Sequence, residues 1–287
     1  MKKQALKEDI FRIIFFLSAA TAIIAILLIC VFIFMNGLPF IGKYGVSNFL
    51  LGQDWSPSNK PASFGIFPMI MGSVLITLGA IIIGVPTGIF TSVFMVYYCP
   101  KQIYHFLKSA INLMAAIPSI IYGFFGLQLL VPWIRTFSGN GMSVLTASIL
   151  LGIMILPTII SLSESAIRTV PSSYYSGSLA LGASHERTIF KVIVPAAKSG
   201  IFSAIILGVG RAIGETMAVI LVAGNQPLLP SGLFEGTRTM TTNIVLEMAY
   251  ASGQHREALI ATSAVLFVFI LLINACFAYV KGKSVHE

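Results

Sequence analysis

The chain has 287 residues, of which 56% are hydrophobic and only 10% are charged, and its formal net charge is +8. A soluble domain carries roughly 25% charged residues, so this chain has too few to cover a water-facing surface, and its mean hydropathy of +0.91 agrees. This composition excludes a soluble globular enzyme, a disordered protein and a coiled coil. We therefore expect an all-α, polytopic membrane protein.

Stretches without charge place the membrane-spanning helices, because a helix needs about 20 apolar residues to cross the hydrocarbon core. Six spans are predicted, of which the first ends at an Asn36-Gly37 turn and the fifth contains charges. The second is interpreted as one long helix with a kink at Pro86, and kinks are also expected at Pro118 and Pro157. The six spans are Ile13 to Met35, about Ile66 to Tyr98, Ser109 to Ile134, Thr136 to Ser163, about Ser199 to Gly224, and Ala258 to Val280.

The distribution of basic residues predicts the orientation of these spans. With the N-terminus inside, twelve of the 18 lysines and arginines fall in cytoplasmic segments and five in outer loops, while Arg211 lies within a span. Cytoplasmic flanks of membrane helices are enriched in Lys and Arg, so both termini are predicted to be cytoplasmic. The same bias accounts for the basic charge without a nucleic-acid partner.

Cofactor and metal chemistry find little support in the sequence. The three cysteines, Cys30, Cys99 and Cys276, lie far apart and none stands in a CxxC pattern, which predicts neither a disulfide framework nor a metal site. No His, Asp and Glu constellation lies in the spans, which argues against a membrane-embedded enzyme. We expect no cofactor in this chain.

A long cytoplasmic segment, residues 164–198, is predicted to contain two short helices. Pro171 followed by Ser172 is a helix-start signal, and Gly182 suits the position just after a helix end. A second helix is expected to begin near Ser184 and to end before Pro195. From the pattern alone, an amphipathic pair of helices that lies on the membrane surface is the alternative.

Two charged residues stand inside the fifth span. Arg211 and Glu215 are four residues apart, so on a continuous helix they share one face and can pair. Each costs about 2.5–3.5 kcal/mol at the centre of a membrane helix, and the planar fork of arginine suits an oxyanion. The residues alone leave two alternatives open: a substrate path for an anion, or a structural ion pair that locks the bundle.

Hydroxyl side chains at membrane depth are further candidates for the same path. Hydroxyls can donate to an anion, but in helices they more often bond to their own backbone. The candidates are Ser73, Thr77, Ser119 and Thr216.

The cytoplasmic segment carries a resemblance. Its stretch from Ser176 to Pro195 is similar to the signature loop of ABC-importer permeases, with the pattern E-A-A, three residues, Gly, nine residues, Ile-x-Leu-Pro. Gly182 and Pro195 match at the right spacing, whereas Ser176-Gly177-Ser178 replaces E-A-A. The resemblance implies that this loop docks onto a cytoplasmic ATPase through Leu179, Gly182, Ala183, Ser184, His185, Glu186, Arg187, Phe190 and Pro195.

A second resemblance is to the C-type permeases of phosphate-specific (Pst) importers. The residues that carry it are Arg211-Ala-Ile-Gly-Glu-Thr-Met-Ala-Val-Ile-Leu-Val-Ala-Gly-Asn225, Phe64-Gly-Ile-Phe-Pro-Met-Ile-Met-Gly-Ser73 and Ala116-Ile-Pro-Ser-Ile-Ile-Tyr-Gly-Phe-Phe-Gly126. It implies the ABC type-1 importer permease fold in a prokaryotic plasma membrane. It also implies a substrate path for inorganic phosphate through Arg211, Glu215 and Thr216.

The same resemblance implies partners and a domain division. The partners are a second, PstA-like permease, a cytoplasmic ATPase dimer that holds ATP and magnesium, and an extracytoplasmic phosphate-binding protein. The only Gly-Lys-Ser of the chain, at 282–284, lacks the earlier glycine of a phosphate-binding loop, since Phe277 stands there. We expect a first helix and outer loop over 1–63, the importer domain over 64–280 and a cytoplasmic tail over 281–287.

Two alternatives for the function stay open. A permease of the same architecture could carry sulfate, molybdate or another oxyanion. An ion-coupled secondary transporter would work without an ATPase, although the long cytoplasmic segment and the single charged pair in the spans argue against it.

Overall fold

The computed structural model describes residues 2–137 and 139–286, and helices dominate this part of the chain. Ser138 of the fourth predicted span and Glu287 of the predicted tail lie outside the described residues. Single π-helical turns cover Gly126–Leu130 and Ile189–Ile193. The other elements are α1 Lys2–Tyr44, α2 Val46–Leu51, β1 Trp55–Ser56, β2 Ser63–Phe64, α3 Phe67–Tyr97, α4 Lys101–Ala116, α5 Ser119–Phe125, α6 Val131–Arg135, α7 Val144–Arg168, α8 Ser172–Ala180, α9 His185–Thr188, α10 Val194–Ala196, α11 Lys198–Gly214, α12 Met217–Val222, α13 Met240–Met248 and α14 Gly253–His286.

Four helical stretches in the described part of the chain are each long and apolar enough to cross a membrane: Ile10–Tyr44, Phe67–Tyr97, Val144–Arg168 and Gly253–Tyr279. Two bent pairs meet the same criterion, α4 with α5–α6 and α9–α10 with α11, bent by 100° and 69°. The predicted kink at Pro118 is confirmed as the first of these bends. A total of six spans follows if each bent pair crosses once, and the cytoplasmic position of both termini stays a prediction. Below, inner, outer and cytoplasmic refer to that predicted orientation.

The first span is longer than predicted. The expected turn at Asn36-Gly37 is wrong, because α1 continues through both residues and through Pro39 to Tyr44. Asn36 donates to the carbonyl of Phe32 one turn earlier at 2.7 Å. Gly37 packs against the backbone of α14, where an added Cβ would stand 3.1 Å from the Cα of Ala261. Close helix packing, rather than a turn, explains this glycine.

The fourth span is shifted along the chain. It begins at Val144 instead of Thr136 because Gly139 and Gly141 take positive φ angles of 65° and 81°, which interrupt a helix. Ser143 caps α7 by accepting from the backbone N–H of Thr146 at 3.2 Å. At the other end α7 continues to Arg168, so Glu164 belongs to the helix and not to the cytoplasmic loop.

The core of the molecule lies where α3, α7, α11 and α12 pack together. Its fully buried side chains include Ile76, Leu150, Ile155 and Val222. An added Cβ on Gly84 would stand 2.9 Å from the carbonyl oxygen of Gly152, so α3 and α7 approach within backbone contact. Such close approach fixes the relative position of the two helices. Both run without interruption through their prolines, Pro86 and Pro157.

The cytoplasmic segment forms the two predicted helices. The first, α8, ends with Gly182 at φ 82°, and the backbone N–H groups of Gly182 and Ala183 donate to Leu179 and Ser178, which is the Schellman pattern. The second begins after Ser184, whose hydroxyl accepts from the N–H of Arg187. Its expected end before Pro195 is wrong. The helix continues to Ala196 because the π-helical turn that precedes Pro195 does not require an N–H at that position.

The outer loop folds onto α13 and α14 as a small aromatic cluster. Strands β1 and β2 pair antiparallel, and Trp55 and Phe64 pack edge to face with ring centroids 5.9 Å apart. Ser63 and Ser56 donate to the carboxylate of Asp54, which lowers the pKa of that carboxyl. The cluster holds the outer ends of α1, α3, α13 and α14 together; its buried members include Phe40, Phe49, Trp55, Phe64, Met69, Met240 and Leu259.

Candidate functional site

The fifth predicted span is broken at the candidate substrate residues. Helix α11 ends at Gly214, Glu215 is extended with φ −70° and ψ 131°, and α12 begins at Met217. The prediction that Arg211 and Glu215 share one helical face is therefore wrong. In the described part of the chain no ion pair joins them within 4.0 Å. The i, i+4 spacing was misleading because it presumes a continuous helix.

Arg211 is half-buried and weakly held. One guanidinium nitrogen, Nη1, donates to the hydroxyl oxygen Oγ1 of Thr158 on α7 over a long 3.5 Å. An arginine side chain has five N–H donors. The others donate to no protein group among the residues that the structure describes. A guanidinium in this condition keeps its donors available for an anion.

Glu215 has a different role from the one expected. Its Oε1 accepts from the backbone N–H of Ala218 at 3.1 Å, so the carboxylate caps the first turn of α12. Its backbone carbonyl accepts from the hydroxyl of Thr241, a buried residue of α13, at 3.1 Å. Glu215 thus fixes both sides of the break, and Arg211 has no carboxylate partner among the residues that the structure describes.

Three irregularities of the helices meet near Arg211. The break at Glu215 follows it in the chain, and Thr158 comes directly after Pro157 of α7. Tyr122 of α5, which follows the bend at Pro118, lies near enough for the guanidinium to act electrostatically on its hydroxyl. An added Cβ on Gly123 would stand 2.8 Å from the Cα of Ala218, so α5 also abuts α12. Interrupted helices in membranes are tolerated where they line a cavity or are buried in protein.

The predicted hydroxyl candidates are spread over different surroundings. Ser73 donates to the carbonyl of Met69 at 2.8 Å and accepts from the N–H of Met240 at 3.0 Å, so it ties α3 to α13. Ser73 and Thr77 border an apolar cavity between α3, α11 and α14. Ser119 begins α5, and Thr216 donates to the carbonyl of Gly214 at 3.3 Å. The structure brings Thr216 to the break that follows Arg211, and it ties Ser73 into the packing of the outer segment.

An open groove of about 520 Å³ lies between the inner halves of α7 and α11. The groove residues of α7 lie on the same helical face as Thr158, three or four residues apart. Those of α11 precede Arg211 at intervals of four residues and so share its face. Hydroxyls and small residues alternate there with leucines. The groove therefore extends the side of the molecule that carries Arg211 toward the cytoplasmic loop; its members include Leu162, Ser165, Thr169, Ser199, Ser203 and Leu207.

The predicted docking loop protrudes from a buried base. Ile189 and Ile193 are buried against the inner ends of α3 and α7, and the Tyr175 hydroxyl bonds to Nδ1 of His185 at 2.6 Å. On the opposite side Leu181 is 90% exposed and Phe190 is 46% exposed. The loop therefore presents apolar side chains to the surroundings from a rigid frame. Of the other predicted docking residues, Leu179, Gly182, Ser184, Glu186, Arg187 and Pro195 are exposed, whereas Ala183 and His185 are half-buried.

A buried carboxylate joins α4 to α7 just above this base. Glu164 is 3% exposed and accepts from Lys108 at 2.7 Å, from Tyr104 at 2.7 Å and from Arg168 at 2.9 Å. The Arg168 guanidinium also lies 5.0 Å from the centre of the Tyr104 ring. Every charged group in this cluster has an oppositely charged partner, whereas Arg211 has none among the described residues, so we assign the cluster a structural role.

Sequence reasoning missed a second buried carboxylate, at the outer side. Glu247 of α13 accepts from Nε1 of Trp55 at 2.9 Å, from Nη1 of Arg238 at 2.5 Å and from Nε2 of His255 at 2.8 Å. Arg238 and Glu247 are 13% and 10% exposed. Arg238 also donates to Asn243 at 2.9 Å. The four residues of this outer cluster, Trp55, Arg238, Glu247 and His255, come from three separate segments, so no local motif could reveal them.

We expect Glu247→Ala to destabilise the protein by about 3–5 kcal/mol, because it leaves the buried Arg238 guanidinium without its carboxylate. Thermal unfolding of the detergent-solubilised protein, followed by tryptophan fluorescence, measures the loss. The matched control is Glu257→Ala, which removes an exposed carboxylate and should change the stability by less than about 0.5 kcal/mol. Equal melting temperatures for the two variants would contradict the structural role of the outer cluster.

Comparison with known proteins places the chain among transport permeases. A profile of the family described as "Binding-protein-dependent transport system inner membrane component" matches residues 84–283. A "Probable ABC transporter permease protein YqgH" of Bacillus subtilis is 39% identical over 92% of this chain and 88% of that protein. A "Probable phosphate transport system permease protein PstC" of Methanocaldococcus jannaschii is 34% identical, over 96% and 93%. A "Phosphate transport system permease protein PstC" of Mesorhizobium japonicum is 32% identical, over 91% and 86%.

Solved structures support the same fold. The bacterial alginate ABC transporter, in complex with its alginate-bound periplasmic protein, matches with a TM-score of 0.61 and 17% identity over 91% of this chain and 92% of the matched chain. The inward-facing MetNI methionine ABC transporter matches with a TM-score of 0.58 and 18% identity, over 77% and 94%. The helices therefore adopt the fold of ABC transporter membrane subunits, which confirms the predicted fold class.

Proposed function

This chain belongs to the family of binding-protein-dependent transport system inner membrane components, and we propose that it is the permease subunit of an ATP-driven importer of inorganic phosphate. It lies in the plasma membrane as a multi-pass protein. The relatives named as phosphate permeases cover almost the whole chain. They favour phosphate over the other oxyanions, sulfate and molybdate, that a cationic site could accept.

The observation that carries this proposal is the condition of Arg211. Its guanidinium is half-buried within a span, has no carboxylate within ion-pair distance among the described residues, and makes one long bond to Thr158. A permanent charge in a membrane is costly unless it faces water or a partner. An anion that passes beside it provides that partner, and the two parallel donors of a guanidinium suit two oxygens of a phosphate group.

The inner part of the transport route is the groove between α7 and α11. Phosphate reaches Arg211 from the outer side and leaves along the hydroxyls of Ser165, Thr169 and Ser199 toward the cytoplasm. These groups can replace some hydration of the anion without holding it by charge. Arg211 therefore forms the strongest contact of the route, and the inner groove favours release.

The remaining parts of the transporter are separate chains. A second, PstA-like permease completes the path, since a groove open along one side needs a facing wall. A cytoplasmic ATPase dimer binds ATP and magnesium and docks onto the loop around Leu181, and an extracytoplasmic phosphate-binding protein delivers the substrate. This chain does not itself hydrolyse ATP.

Reconstitution tests the proposal. The chain is purified with its copurifying permease and ATPase and placed in vesicles, and uptake of radioactive phosphate is measured with loaded binding protein outside and ATP or ADP inside. We expect uptake with ATP only, suppressed by unlabelled phosphate at concentrations where sulfate and molybdate have little effect. Equal suppression by sulfate or molybdate would assign another oxyanion. Uptake by the purified chain alone, without an ATPase, would assign a secondary transporter.

A further inference from the structure

Eight hydroxyl side chains within the described spans bond to the backbone of their own helix. In each case the Ser or Thr donates to the carbonyl four residues earlier, which is the usual arrangement in a membrane helix. The donors with this bond include Ser18, Thr21, Ser73, Thr87, Thr91, Ser203, Thr262 and Ser263.

The hydroxyls of α7 do not make this bond, and Thr158 is the one among them that contacts Arg211. The usual bond to its own helix would run from the Thr158 hydroxyl to the carbonyl of Met154. The hydroxyl oxygen instead accepts from Arg211 at 3.5 Å, and the hydroxyl donates to no group among the described residues. A threonine hydroxyl carries one hydrogen that it can donate. The hydroxyl oxygen of Thr158 is therefore turned to the guanidinium, while its hydrogen has no acceptor in the part of the protein that the structure describes.

Neighbouring hydroxyls do not compete for the same role. The hydroxyl of Tyr122 already donates to the carbonyl of Met114 at 2.8 Å, and that of Thr216 donates to Gly214. Thr158 thus supplies the unused hydroxyl in direct contact with Arg211. A tetrahedral oxyanion that occupies two donors of a guanidinium still presents further oxygens to a neighbouring O–H.

We propose that Thr158 is a phosphate-binding residue, whose unpaired hydroxyl donates to the oxyanion held by Arg211. This inference rests on the proposed function and deepens it by adding a second ligand on a different helix. Since Thr158 lies on α7 and Arg211 on α11, the anion bridges the two helices that also line the inner groove. Binding at this point therefore couples the position of the substrate to the separation of α7 and α11.

The test uses the complete reconstituted transporter with saturating phosphate-loaded binding protein. Thr158→Val removes the hydroxyl and keeps the shape, and we expect phosphate uptake per ATP hydrolysed to fall about tenfold or more, because a hydrogen bond to a charged group contributes roughly 1.5–3 kcal/mol. Thr158→Ser restores the hydroxyl and should remain within about threefold of the unchanged protein. The control is Thr91→Val, which removes a hydroxyl that donates to its own helix and should leave the ratio unchanged.

The outcomes separate this inference from the proposed function. Uptake in Thr158→Val that equals the unchanged protein would overturn the binding role, while phosphate import by the unchanged protein would still support the proposed function. Loss of copurifying permease and ATPase in Thr158→Val would also overturn it, since it would assign Thr158 to packing. A failure of the unchanged transporter to import phosphate would contradict the proposed function itself.

Discussion

Replacement of Arg211 by glutamine should nearly abolish phosphate uptake by the assembled transporter, with a fall of about 30-fold or more at saturating binding protein. The change removes the positive charge and the paired donors and leaves a shorter, neutral polar side chain. Removal of one partner from a buried charge contact costs about 2–5 kcal/mol, and 1.4 kcal/mol corresponds to a factor of ten. The measurement is ATP-dependent uptake of radioactive phosphate into vesicles.

The same substitution should leave assembly intact, because Arg211 makes only one long contact with Thr158 in the described part of the chain. We therefore expect normal copurification of the ATPase and a normal melting temperature. Arg211→Lys should give an intermediate rate, since lysine keeps the charge and loses the planar fork. Arg12→Gln, at the inner end of α1, is the matched control for loss of an exposed arginine. Normal uptake by Arg211→Gln would refute the role of this residue.

This prediction also separates the two alternatives that the sequence left open. A structural ion pair between Arg211 and Glu215 would make both residues equally necessary for stability. In the structure Glu215 instead caps α12 and accepts from Thr241, so its loss should disturb the break between α11 and α12, whereas the loss of Arg211 should affect transport alone. The separation of these two roles could be recognised only once the helix was seen to end at Gly214.

The sequence predicted the second span well and the fourth span poorly, although Arg135 and Glu164 directly flank the fourth. Helix α3 is predicted from about Ile66 to Tyr98 and covers Phe67–Tyr97. The prediction was accurate because Lys60 and Lys101 bracket an uncharged stretch that ends in a turn. The fourth span failed because the uncharged stretch after Arg135 contains Gly139 and Gly141, whose positive φ angles lie outside any helix. Absence of charge thus marks what can enter a membrane and does not by itself mark where a helix begins.

The candidate site was predictable in part for similar reasons. Arg211 was found because a charge within an apolar stretch is conspicuous. Thr158 was not, since a threonine in an apolar helix looks like any other back-bonded hydroxyl, and its position after Pro157 was the only available signal. The outer cluster required contacts such as that between Trp55 and Glu247, which are 192 residues apart, and no periodicity reports on contacts of that kind.

Substitution of Leu181 by aspartate should disconnect the permease from its ATPase. Leu181 is 90% exposed at the tip of the cytoplasmic loop, directly before Gly182 at φ 82°. An apolar side chain held out from a rigid turn fits a partner's groove, and full burial of a leucine side chain contributes about 1.5–3 kcal/mol. An aspartate at position 181 would bury a carboxylate in the partner's groove, which adds the free-energy cost of desolvating a charge. We expect the affinity for the ATPase to fall roughly 30-fold or more, with a parallel loss of ATP-dependent uptake.

The frame of the loop makes this effect specific to docking. Ile189 and Ile193 hold the base in the core, and the Ser178 and Thr188 hydroxyls bond across the two short helices at 2.9 Å, so the change at the tip should leave the fold unaltered. Ser173→Asp introduces the same charge at an exposed position of α8 and should retain most of the binding. ATPase copurification and ATP-driven uptake are measured for both variants. If Leu181→Asp retained both at normal levels, the loop would be an amphipathic surface element of the membrane, and the energy of ATP would have to enter the permease elsewhere.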